Sequence, residues 1–388
     1  MTPKRLGWAG VAVGVVAAYI TLPPILLRTA IPSALLAIAA VYLGVRAIRG
    51  GERKLGWGAI VVAVAGAAGA VGATLSGEAN LERVFVWSAL LAAMLRFAAP
   101  LIFAALGGVI SERSGVVNIG LEGMMLTGAF FAVLGADKTD GWVGGLIVGM
   151  VAGAVFGLLH AFFSVTLRAD QIVSGVAINL LALGGTGYLY IDVYGDLGTP
   201  DGLPAVPNVE LPLGWVPALG DALEDLNLLI WIALILVVAL TVFLFRTPPG
   251  LRVRSVGENP LAADTAGISV TKVRYSSVIA SGVLAAMGGA FLSIGFVHSF
   301  SENMTVGKGF IALAAMIAGR WHPVGALAAC CLFGFSSAVA QRLPAFSDNS
   351  SVAVLFEALP YVLTLIVVAG VVGRSRPPAA DGIPYERH

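Results

Sequence analysis

Apolar residues dominate this chain in long uninterrupted runs. Neither the two-residue alternation of a half-buried strand nor a one-sided helical stripe describes them. A helix that crosses ~30 Å of hydrocarbon needs ~20 such residues. Runs that meet or approach that length fall at 7–27, 32–48, 57–75, 97–110, 116–136, 141–167, 171–191, 226–246, 273–296, 309–319, 323–343 and 351–372. Three of them, 32–48, 97–110 and 309–319, are short. The predicted fold is therefore all-α: a polytopic transmembrane helix bundle of about 10–12 spans, some short or broken. The first run follows Lys4 and Arg5, as in a signal peptide, but it is too long and lacks a small-residue cleavage site, so it reads as a retained anchor. Gly141, Gly145, Gly149, Gly153 and Gly157 recur every fourth residue and form one stripe for close helix–helix contact. The stripe does not say whether its partner lies in the same chain.

Composition agrees. Of 388 residues 58% are hydrophobic and 12% charged, against roughly 25% charged in soluble domains, and mean hydropathy is +0.92. A net charge of +1 provides no field for nucleic acid. Cys330 and Cys331 are adjacent and frame no disulfide scaffold. The four histidines, at 160, 298, 322 and 388, lack the spacing of a helical zinc pair, so no metal is expected. Gly307-Lys308-Gly309 is no phosphate loop, because Glu302 stands where its first glycine belongs. No nucleophile elbow is present. The chain is expected to be no enzyme and to use no cofactor.

Lys and Arg placement sets the orientation. With alternating spans, seventeen of the 23 basic residues fall on the side of the N-terminus and only Arg28, Arg83, Lys138, Lys308 and Arg342 on the other. Both termini are then expected in the cytoplasm, and the acidic loop 192–225 outside. Arg96 sits within apolar sequence. An interfacial helix Val84–Arg96 with Trp87 at headgroup level accounts for it, and a buried functional Arg is the alternative.

Two polar motifs interrupt the apolar pattern. Ser111-Glu112-Arg113-Ser114-Gly115-Val116-Val117-Asn118-Ile119-Gly120-Leu121-Glu122-Gly123-Met124-Met125 brings carboxylates, Arg, Asn and glycines to the edge of a span. Transporters use such breaks to present polar groups to substrate. Asn118 and Glu122 are four apart, which on a helix is one face, and are candidates to line a polar path. A plain turn, with Glu112 and Arg113 structural, is the other reading. Val256-Gly257-Glu258-Asn259-Pro260-Leu261-Ala262-Ala263-Asp264-Thr265-Ala266-Gly267-Ile268 lies in the most basic loop. Asn259 suits an N-cap, Pro260 the first helical position and Gly267 the stop. That predicts a two-turn helix, 260–266, too short to stand alone and exposing Leu261 and alanines to a partner or to solvent.

These two runs, with GFIALAAMIAGRWHPVGA at 309–326, resemble permease subunits of bacterial ABC importers, in the nucleoside and simple-sugar branch related to ribose and branched-chain amino-acid permeases. The resemblance spans roughly 85–372 and leaves 1–75 outside. It implies extra transmembrane segments over 1–80, a permease domain over 81–373 with a coupling helix about 258–267, and a cytoplasmic tail over 374–388. It also implies a bacterial cell membrane, a second homologous permease (a heterodimer), a cytoplasmic ATPase that hydrolyses the ATP, and an extracellular binding protein that delivers a nucleoside or, as second choice, a sugar. Glu258, Asn259, Ala263 and Gly267 become ATPase contacts. Gln171 and Asn179, eight apart on helix 171–191, join Asn118 and Glu122 as path residues, since amides suit neutral nucleosides; gluing helices together is their alternative role. A self-sufficient ion-coupled transporter is the competing class, but it requires an inverted repeat and a midplane acidic site, and neither is visible.

Overall fold

Inside a bilayer every backbone N–H and C=O must be satisfied within the segment, so apolar runs of this length fold as helices. The computed structural model describes residues 2–19, 31–75, 87–195, 198–212, 222–342 and 376–386, and it is a polytopic membrane helix bundle. Among the described residues six helices are long and apolar enough to cross a membrane: Ser88–Glu112, Trp142–Thr166, Gln171–Tyr194, Leu228–Arg246, Val270–Val297 and Pro323–Gln341. The expected span 351–372 and residues 213–221 of the 192–225 loop lie outside the described residues.

The chain divides into two compact units, Met1–Leu90 and Leu91–His388. In the first, α1 (Pro3–Tyr19), α2 (Ile31–Arg49) and α3 (Arg53–Leu75) pack on one another. Small residues set their spacing: a Cβ on Gly44 would lie 2.7 Å from the Gly56 carbonyl oxygen.

The second unit takes in most of α4 (Trp87–Glu112). It continues through α5 (Leu121–Thr139), α6 (Trp142–Ala161, extended by a π-helical turn Phe162–Thr166) and α7 (Gln171–Tyr194). A short antiparallel pair, β1 (Asn208–Glu210) and β2 (Asp225–Asn227), leads into α8 (Leu228–Arg246). Then follow α9 (Pro248–Glu258), α10 (Pro260–Thr265), α11 (Val270–Ala290, extended by a π-helical segment Phe291–Val297), α12 (Lys308–Ala318) and α13 (Pro323–Arg342). The centre is the crossing of α5, α6 and α11. Lipid tails are as apolar as leucine, so close backbone approach, and not apolar burial, holds such helices together. Gly145 and Gly149 abut the Ala132 and Gly128 carbonyls of α5; Gly153 and Gly157 abut those of Gly282 and Val278 on α11. The stripe thus serves two neighbours within the chain.

Three expectations are corrected. Gly141 is not in that stripe: it is extended (φ −162°) and precedes the helix, which starts at Trp142. The short run 97–110 is the second part of a 26-residue helix that continues through Arg96 and Pro100. Arg96 is therefore neither in a separate interfacial helix nor buried; its side chain is exposed on a continuous helix. The run 116–136 is helical only from Leu121, because the chain turns at Gly115, where φ is +86°.

Candidate functional site

The turn between α4 and α5 is held by its own serines and by side chains of α6, α7 and α11. Ser111 Oγ donates to the Val116 carbonyl at 2.7 Å, and Ser114 Oγ to that of Ser111 at 2.7 Å. Gln171 Oε1 accepts from the Val117 amide at 2.7 Å. His160 Nε2 donates to the Val117 carbonyl at 3.0 Å, which leaves Nδ1 as acceptor for Ser174 Oγ at 2.9 Å when the ring is neutral. Asn179 accepts from the Gly123 amide at 2.8 Å and donates to the Ile119 carbonyl at 3.0 Å. Asn118 Nδ2 donates to Ser281 Oγ on α11 at 2.9 Å. A buried non-helical segment survives only when its backbone groups are satisfied this way.

The four candidate path residues therefore converge on one turn, but not as expected. Asn118 and Glu122 do not share a helix face, because Asn118 lies before α5 begins. Glu122 caps another helix: its two carboxylate oxygens accept from the amides of Gly307 at 2.8 Å and Gly309 at 2.5 Å, at the start of α12. A carboxylate at a helix N-terminus is favoured by the dipole as well as by the bonds. Asn118 Oδ1 and Gln171 Nε2 make no hydrogen bond among the described residues, although both residues are buried. Sequence reasoning missed His160 and Ser281. The available signal for His160 was that it is the lone polar residue of α6; Ser281, one of several polar residues of α11, carried none.

The second motif lies beside the same turn. Asn259 Oδ1 accepts from the Ala262 amide at 3.0 Å, Pro260 opens α10, and Gly267 takes φ +79°. A Cβ on Gly257 would stand 2.2 Å from the Arg113 carbonyl oxygen, so the two motifs touch backbone to backbone. Arg113 donates from Nε to the Trp321 carbonyl at 2.8 Å. The Trp321 indole in turn donates to the Glu112 carboxylate. Burial lowers the Arg113 pKa, with Glu258 opposing that shift. Glu112 and Arg113 thus tie α4 to the turn after α12.

Ala263 is corrected as a partner contact. It is buried with Val256 and Val270 of its own chain, because the fourth position of α10 faces back toward α9 and α11. Glu258, Asn259, Leu261, Ala262 and Gly267 are exposed. The tail segment 376–386 straps this region: the Ala380 amide donates to the Gly257 carbonyl at 2.8 Å, Arg274 to that of Ile383 at 2.9 Å, and Arg168 pairs with Glu386 at 2.8 Å. Burial raises the Asp381 carboxyl to about 7, against the lowering pull of its hydrogen bond with Glu112 and of the Arg274 charge. The arrangement is a small protruding helix on a rigid, tied base. That geometry suits mechanical transmission, and the described residues include no cluster able to hold a metal ion.

Comparison with known proteins matches residues 90–368 to the family described as branched-chain amino acid transport system, permease component. A guanosine ABC transporter permease protein of Bacillus subtilis is 44% identical over 79% of this chain and 98% of its own length. A nucleoside ABC transporter permease protein of Lactococcus lactis is 39% identical over 76% of this chain and 96% of its own. A putative glucose ABC transporter permease protein of Haloferax volcanii is 35% identical over 66% and 78%. No solved structure matches.

Proposed function

The chain belongs to the branched-chain amino acid transport system permease family, and from that premise we propose that it is the membrane subunit of an ATP-driven importer that carries a nucleoside. The observation that carries the substrate class is the 44% identity to a guanosine permease, sustained over 98% of that protein. A sugar is the second choice, because the glucose relative is more distant and less completely covered. The geometry supports the mode of action. ATP is hydrolysed on a separate cytoplasmic ATPase, whose docking element is the exposed edge of α10, with Glu258, Asn259, Leu261 and Gly267. The base of that element packs backbone to backbone on the α4–α5 turn at Gly257 and Arg113, so a push on α10 reaches the turn carrying Asn118 and held by Gln171 and Asn179. In this reading those residues move with the path and position its walls. A second, similar permease completes the membrane domain, an external binding protein delivers cargo, both termini are cytoplasmic, and residues 81–373 carry the permease proper.

Uptake of labelled guanosine, other nucleosides and glucose, compared in cells with and without the gene, tests the substrate class. The expected result is nucleoside uptake that disappears with the gene while glucose uptake is unchanged. Loss of glucose uptake alone would assign the sugar branch.

A further inference from the structure

Four helices run from the α10 face to the opposite end of the bundle. α4 ends at Glu112 in the tied turn, and α11 starts three residues after Gly267. The turn after α12 holds Trp321, and α13 starts two residues later. Their far ends enclose a second feature that none of the motifs above assigns: a cavity of about 320 Å³, lined among others by Arg96, Phe97, Phe296, Glu302, Lys308 and Gln341. Arg96 precedes Glu112 by sixteen residues, roughly 24 Å along a helix. The cavity therefore lies across the bundle from the docking face.

Its walls combine two chemistries. Phe97 and Phe296 meet edge to face at 6.2 Å, and Phe296 stacks on Phe291 at 6.3 Å with a 12° interplanar angle. Phe296 is 42% exposed, so this backed ring leaves surface on which a planar ligand can stack. On the same cavity, Arg96 and Glu302 are exposed with no ion pair or side-chain hydrogen bond among the described residues, and the Gln341 side chain likewise has none. Such uncommitted charged and amide groups beside apolar rings offer one ligand both polar partners and a stacking surface. The backbone is also held in sparsely populated conformations here. His298, Asn303 and Val306 have φ of +58°, +53° and +44°, and for a β-branched valine that is a rare state. The π-helical segment Phe291–Val297 ends at the same place. Such strain collects at ligand sites. Asn227 fixes the segment by donating to the Val206 and Gly295 carbonyls at 3.1 and 3.0 Å.

We propose that this cavity is the nucleoside subsite of the permease on the side where cargo enters: the base stacks on Phe296 and meets Phe97 edge to face, and the ribose hydroxyls donate to Glu302 and accept from Arg96 or Lys308. The volume falls in the range of small-molecule pockets. The groups fit a neutral ligand that presents both an aromatic face and hydroxyls. The inference rests on the nucleoside reading above and deepens it.

The test uses the assembled importer in proteoliposomes with tritiated guanosine. Phe296→Leu should raise the half-saturating concentration about 10-fold, the scale of one lost base–aromatic stack. Phe296→Tyr should stay within about 2-fold, because it keeps the ring. Glu302→Gln, on an exposed residue that does not threaten folding, should raise it as well, and more for guanosine than for 2′,3′-dideoxyguanosine, which lacks the hydroxyls. If the wild type takes up guanosine and Phe296→Leu and Glu302→Gln match it in half-saturation, the subsite is overturned and the nucleoside reading stands. If the wild type takes up glucose and no guanosine, both fall.

Discussion

Gly289→Val is expected to leave no monodisperse permease after solubilisation. A Cβ at this position would lie 1.8 Å from the Met125 carbonyl oxygen and 2.8 Å from the Ala129 amide nitrogen. Both are backbone atoms of α5, so no rotamer change relieves the clash. The neighbouring crossings give no slack: a Cβ on Gly128 would be 2.3 Å from the Ala286 Cα, and one on Gly153 2.4 Å from the Gly282 carbonyl oxygen. α11 is clamped along both α5 and α6. Overpacking in a core that can shift costs about 1–3 kcal/mol; here whole helices must separate, and the loss should exceed about 4 kcal/mol, the range that marks severe core damage. Gly184→Val is the matched control. Nothing lies within 4 Å of a Cβ there, so size-exclusion profile and yield should match wild type. A folded, monodisperse Gly289→Val protein would show that the α5–α11 crossing is wider than described.

Leu261→Asp is expected to abolish coupled transport while leaving the permease folded. Leu261 is 53% exposed on α10, a helix of six residues, too short to hold its shape without support. Its base is already fixed from within the chain by Ala263, by the Asn259 cap and by the strap over Gly257. The substitution therefore alters the docking surface and not the base. Burying an unpaired carboxylate in the contact would cost several kcal/mol, enough to lower ATPase recovery and uptake by more than about 100-fold. Ala263→Arg would be a poorer probe, because it would lever α10 off its own chain. Co-purification of the ATPase with Leu261→Asp permease checks the outcome; full recovery would exclude α10 as the docking element.

The helices were legible because long apolar runs in a bilayer have one backbone solution. So was the α10 stop-start signal, since Asn259, Pro260 and Gly267 act through local geometry that no tertiary contact overrides. The break before α5 was legible from its polar residues, but its interior was not. Glu122 faces two amides 185 and 187 residues away, and nothing local shows that. The i, i+4 rule failed for Asn118 because Gly115 takes the chain out of helix first. Spacing alone placed Gly141 in the stripe, although the helix had not begun. Arg96 suggested a helix end because charge in apolar sequence is costly; an exposed side chain at the cavity removes that cost without ending the helix. Ala263 looked like a partner contact because a small apolar residue reads the same whether it faces another protein or its own base.

The most direct measurement is guanosine accumulation in proteoliposomes that hold this chain, its partner permease and the ATPase, with binding protein outside. The account predicts accumulation that requires ATP on the ATPase side and persists when proton and sodium gradients are collapsed. Accumulation driven by an ion gradient in vesicles holding this chain alone, without ATP, would contradict it.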